Sequence, residues 1–162
     1  RSRMKRFGLV IIMIFCLGGI TTAQTESFAI EDVDSIMQTQ KKPILILLST
    51  DWCKYCQMQK NQLAKDKHFL NQTDNFYYIV FNAERKDSIV FNQKIFQYKA
   101  TGLSSGIHEL SIALNGSENI AFPTWVLLDS KYQVLFRYNG VLKPLEIKEL
   151  LKAIEGIVVL VS

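Results

Sequence analysis

Apolar and polar positions along this chain fall into blocks whose period changes several times. Ile30, Val33, Ile36 and Met37 recur at the three- and four-residue spacing of a helix, and Lys41-Lys42-Pro43 stops it. Residues 44–48 (ILILL) are all apolar and bounded by Pro43 and Ser49, the pattern of a strand buried on both faces. Residues 49–52 read as a turn. Helical spacing resumes at Cys53, with Met58, Leu63, Phe69 and Leu70 set among Lys and Gln, and residues 71–75 form a polar loop. Residues 76–81 (FYYIVF) predict a second buried strand.

The middle of the chain is less regular. Ile89, Phe91, Ile95, Phe96 and Tyr98 suggest a short helix, residues 101–106 a loop, and residues 107–114 a further helix ended near Asn115-Gly116. Residues 124–128 and 133–138 predict strands joined by a tight turn at Asp129-Ser130-Lys131. Gly140 breaks the pattern, and residues 144–154 form an amphipathic helix with proline in its first turn. The apolar residues 157–161 have no assigned role. This order predicts an α/β domain. Its first two strands lie parallel through a helical crossover, its last two form a hairpin, and helices cover both faces of a mixed sheet.

Composition and charge change this picture only after they are divided along the chain. The 162 residues are 48% apolar with 8 Gly and 3 Pro, which excludes collagen-like, low-complexity and mainly disordered classes. The length fits one domain. Residues 1–23 place Arg1, Arg3, Lys5 and Arg6 before an apolar run at 7–17 and a small-residue end, Thr21-Thr22-Ala23. That is the pattern of a secretory signal peptide cleaved after Ala23; the alternative is an uncleaved membrane anchor, for which the apolar run is short. The segment holds four of the 19 Lys and Arg and none of the 15 Asp and Glu, so the formal charge of +4 belongs to it. Residues 24–162 carry 15 of each sign, and no basic stripe remains to suggest a nucleic-acid partner. Cys16 leaves with the segment, and two of the three cysteines stay.

Those two, Cys53 and Cys56, stand between a buried strand and the start of a helix. Cysteines three apart on a first helical turn can reach disulfide separation. The N–H groups and macrodipole of the helix start favour a thiolate on the first sulfur, and Lys54 adds positive charge. Cys53 is therefore expected to be the exposed nucleophile and Cys56 the more buried resolving thiol. Other readings of CxxC are half a zinc site, a soft-metal site with Met58, or a purely structural disulfide. There is no second CxxC, and His68 and His108 lie 12 and 52 residues beyond Cys56, a poor spacing for zinc. Haem attachment requires histidine where Gln57 stands. A disulfide spanning three residues constrains the unfolded chain little.

Thr50-Asp51-Trp52-Cys53-Lys54-Tyr55-Cys56 resembles the WCxxC active site of the thioredoxin superfamily, and Phe122-Pro123-Thr124 resembles its cis-proline step. Gly140 ahead of the last helix also fits. The resemblance runs over about residues 30–154 and is nearest to secreted bacterial thioredoxin-like proteins. It implies a thioredoxin-like fold, with a signal peptide at 1–23, the domain at 24–162 and a helical insert at about 83–121, before the cis-proline. It further implies that Cys53 attacks and Cys56 resolves. Pro123 would present the Phe122 backbone to an extended substrate strand. Trp52, Phe122, Pro123 and Thr124 would bind substrate, and Lys54 and Tyr55 would tune the potential. No metal and no cofactor beyond the dithiol are expected. Partners would be protein thiols and disulfides, with a membrane electron donor or an oxidant protein.

Two departures from the family pattern stand out. Leu47 occupies the position of a usual buried acid, for which Glu84 or a water is a substitute, and 66 residues separate Cys56 from Pro123. His108, inside the resulting insert, reads as a surface or packing histidine. The expected function is an exported, periplasmic thiol–disulfide oxidoreductase, leaning to reductase. The alternative is a thioredoxin-like module that binds a partner or soft metal with little turnover.

Overall fold

A computed structural model describes residues 27–161. The segment read as an export signal, Cys16 included, lies outside the described residues. After a 3-10 turn at Ile30–Asp32 the chain runs through α1 (Val33–Thr39), β1 (Ile44–Ser49), α2 (Lys54–Leu63), α3 (Lys67–Leu70), β2 (Tyr77–Asn82), β3 (Ile89–Phe91), β4 (Lys94–Phe96), β5 (Tyr98–Ala100), β6 (Gly106–His108), α4 (Glu109–Asn115), β7 (Thr124–Leu128), β8 (Val134–Asn139) and α5 (Pro144–Val161).

The central sheet has the order β2-β1-β7-β8. β1 runs parallel to β2 and antiparallel to β7, and β7 and β8 form the expected hairpin. All six residues of β1 are buried because the strand is central and both faces are covered. Ile44, Ile46 and Leu48 pack with Tyr77, Ile79, Phe81 and Val126 against Val33, Met37, Ile89, Phe91, Leu110 and Leu114. Leu45 and Leu47 face the opposite way, with Tyr78, Trp125 and Leu127, onto Leu63, Phe69, Ile147, Leu151 and Ile154. The period-two alternation of the strands thus divides one apolar run into two cores. The 157–161 tail continues α5, and Ile157 and Val158 pack on the second core.

The region between β2 and β7 departs from the sequence reading. It keeps one helix, α4, but the short helix expected from Ile89 to Tyr98 is two small antiparallel pairings, β3–β4 and β5–β6. The insert is therefore only partly helical. The Asn92-Gln93 turn has φ of 49° and 60°, the primed geometry that suits a two-residue hairpin. No glycine marks that turn, and non-glycine residues resist positive φ. The Asp34 carboxylate, from α1, holds it by accepting the N–H groups of Asn92 and Gln93 at 2.8 and 2.9 Å. Gly106 is required in the second pair, since a Cβ there would lie 2.5 Å from the Lys99 carbonyl.

His108 is a packing histidine. It is fully buried, caps α4 by accepting the Leu110 N–H on Nδ1 at 3.2 Å, and meets Phe81 edge to face. Its Nε2 therefore carries the proton toward the Asp87 carbonyl, 3.0 Å away.

Candidate active site

β1 ends at Ser49, and the following turn delivers Cys53 to the N-cap of α2. The Cys53 backbone is extended there, and its N–H donates to the Thr50 carbonyl at 3.3 Å. Its Sγ accepts the Cys56 N–H at 3.1 Å, the bond that a helix start offers to a capping acceptor. Cys53 and Cys56 form a disulfide with S–S 2.15 Å and Cα atoms 5.2 Å apart. The first turn of α2 contains no acidic residue, so its positive end is uncompensated and faces the sulfur of Cys53.

One expectation is corrected by burial. Cys53, expected to be exposed, keeps only 3% of its surface, against 0% for Cys56. In the oxidised pair each sulfur covers the other. Apolar surface is instead offered by the neighbours: Trp52 is 66% exposed, Tyr55 65% and Met58 49%. Tyr55 and Met58, three apart, share one face of α2. Lys54 is exposed beside them.

Pro123 follows Phe122 through a cis peptide bond. The register pairs Thr124 with Leu48, so Pro123 sits at the end of the sheet from which β1 leads into the cysteines. Its carbonyl accepts the N–H of Gly140, at 2.8 Å, and Gly140 has φ of +123°, open to glycine. The Thr124 hydroxyl is buried between the Ala121 carbonyl and Asn139 Oδ1. Thr124 thus supports the proline loop from beneath. Phe122 is half-buried and meets Trp52 edge to face, with ring centroids 6.1 Å apart.

Glu84 is placed on Trp52. Both carboxylate oxygens accept the indole N–H, at 3.0 and 3.1 Å. Ala83 N–H continues the β1–β2 pairing by donating to Ser49, which brings the ends of the two parallel strands, and hence Glu84 and Trp52, together. Leu47 is fully buried and lies opposite Trp125 in the sheet. Gln59, which the sequence reading passed over, is fully buried on α2 and bonded to the backbone of Leu142. Its only signal was a polar residue at a core-facing helical position. Among the described residues no three His, Cys, Asp or Glu side chains gather as a metal site, and no helix is long and apolar enough to cross a membrane.

Comparisons agree with this architecture. The structure resembles a thioredoxin from Thermus thermophilus with a TM-score of 0.57 at 13% identity, over 80% of this chain and 86% of that one. A DsbH oxidoreductase matches with a TM-score of 0.54 at 14% identity, over 96% and 94%. A disulphide isomerase from Xylella fastidiosa gives 0.51 at 15% identity, over 80% and 95%. At these identities the likeness is one of fold. No curated protein matches the sequence. The model of the thioredoxin-like domain matches residues 30–155, and the chain belongs to that family.

Proposed function

We propose that this chain is an exported thiol–disulfide oxidoreductase that exchanges disulfides with protein substrates, acting as a reductase. The observation that carries the reading is the Cys53–Cys56 disulfide at the N-terminus of α2, with the Cys56 N–H on Cys53 Sγ and Pro123 at the same end of the sheet. In the reduced protein the Cys53 thiolate attacks a substrate disulfide. One substrate sulfur leaves as thiolate and takes a proton, and a mixed disulfide forms. The Cys56 thiolate then attacks Cys53 Sγ and releases the second substrate thiol. Two electrons pass to the substrate, and the Cys53–Cys56 bond is restored. Trp52, Phe122, Pro123 and Thr124 provide the apolar rim and supported loop for an extended substrate strand. Lys54 and Tyr55 flank the sulfurs and tune the potential. No cofactor beyond the dithiol is needed, and a membrane electron donor would return the protein to the dithiol form.

Reduction of insulin by the reduced protein tests the activity, with Cys53→Ser as the inactive control. Equal turnover by wild type and variant would sink the proposal. Export follows the basic-apolar-small pattern of residues 1–23, and N-terminal sequencing of the mature protein checks it: a start at Gln24 is expected, and one at Arg1 or Met4 defeats it.

The buried, apolar Leu47 favours a second reading, a binding module with little turnover. The reduction potential separates the two. Catalysts of this chemistry lie at roughly −120 to −270 mV, whereas a structural bond lies below about −300 mV.

A further inference from the structure

Gln59 stands one turn after Cys56 on α2 and is fully buried. Both ends of its amide reach the backbone of Leu142. The Leu142 N–H donates to Gln59 Oε1 at 2.6 Å, and Gln59 Nε2 lies 3.4 Å from the Leu142 carbonyl. Gln62 reinforces the pair, its Nε2 3.3 Å from the same carbonyl and its Oε1 3.4 Å from Gln59 Nε2. Leu142 belongs to the short connection between β8 and α5. That connection is held at two further points: Gly140 N–H donates to the Pro123 carbonyl at 2.8 Å, and Lys143 N–H to Glu146 Oε2 at 2.7 Å. A bonded path therefore runs from the cysteine helix through Gln59, Leu142 and Gly140 to the cis-proline loop. α2 and that loop come from distant parts of the chain, and a reciprocal amide pair resists sliding between them in a way that apolar contacts do not.

We propose that Gln59 is a positioning residue for disulfide exchange, setting the cis-proline loop relative to Cys53 and Cys56 for substrates that lie across both. This rests on the oxidoreductase reading above. Gln59 touches neither sulfur nor substrate and acts through Leu142 and Gly140. A substrate strand laid along the Pro123 loop must present its disulfide in line with Cys53, so a shift of that loop is felt by an extended substrate and little by a small disulfide.

The test compares reduced wild type with Gln59→Met, which has similar length and no hydrogen-bonding capacity. Two substrates are used, insulin and 2-hydroxyethyl disulfide, with dithiothreitol returning the protein to the dithiol and the rate without protein subtracted. The expected result is a fall of about fivefold or more in kcat for insulin with KM nearly held, and a clearly smaller change in kcat/KM for the small disulfide. An equal fall for both substrates, or no change for either, overturns the proposal, because a merely structural amide would lower the folded fraction without distinguishing them. If Gln59→Met does not fold, Gln59→Asn, which leaves the amide one methylene short of Leu142, is read in the same way. Should neither fold, Gln59 is a folding requirement and the positioning role is withdrawn. Wild type inert toward both substrates fails the oxidoreductase reading itself, and the role of Gln59 falls with it.

Discussion

The indole N–H of Trp52 is shared between the two carboxylate oxygens of Glu84, at 3.0 and 3.1 Å. The ring is two-thirds exposed, yet it is held at one edge by Glu84 and on another side by Phe122. The carboxylate expected as a stand-in for the acid missing at Leu47 is thus engaged with a tryptophan on the rim. Glu84→Ala is expected to free the ring and weaken protein-substrate turnover about two- to fivefold, the scale of an exposed charge-assisted contact. The fluorescence anisotropy of the exposed tryptophan would fall with it. An unchanged anisotropy would show that Glu84 does not restrain the ring.

Cys56 is buried behind Cys53 and bonded to it. Cys56→Ser is expected to leave the first attack intact and remove the second, so a mixed disulfide between Cys53 and substrate accumulates. Non-reducing gel electrophoresis after incubation with insulin reads it. Trapping through Cys56 in a Cys53→Ser variant at equal yield would refute the assigned order of the two thiols, and at higher yield would reverse it.

Asp34 ties two turns of chain to α1. Besides the Asn92 and Gln93 N–H groups it accepts the Tyr132 hydroxyl at 2.7 Å. Asp34→Ala leaves two residues at positive φ without their compensating bonds and is expected to cost about 2 kcal/mol. The urea midpoint would fall with an unchanged slope, while insulin reduction by the folded protein is retained. A loss below ~0.5 kcal/mol would mean the hairpin holds itself.

Burial holds the His108 imidazole below its ordinary pKa of 6.5, outweighing the opposing bond to the Asp87 carbonyl. The unfolded chain takes up this proton near pH 6.5, and the folded chain only at lower pH. Between those points the unfolded state binds more protons, so stability falls as pH falls, and above about pH 6.5 the contribution is complete. The urea midpoint of the wild type is expected to drop between pH 7 and 5 more steeply than that of His108→Asn, which keeps a capping acceptor without titrating. Parallel profiles for the two proteins would refute the assignment.

What the sequence determined by itself is what depends on local period and local chemistry. Residues 44–48 suit a doubly buried strand, the pattern from Cys53 onward is helical, and the segments around Asp129 read as strands joined by a tight turn. These features are decided within a few residues, and they also carried the resemblance that located Cys53, Cys56 and Pro123. Tertiary structure decided the polar cross-links. Glu84 meets Trp52 across 32 residues, Asp34 meets the Asn92 turn across 58, and Gln59 meets Leu142 across 83. The short segment at 89–96 pairs as a hairpin because a distant carboxylate holds its turn and the sheet supplies a core for Ile89 and Phe91, and neither is visible in the segment itself. Hydrophobic period is a property of neighbours in sequence. A hydrogen bond between a buried amide and a remote backbone exists only once packing has brought the two together and removed the water that would otherwise satisfy both.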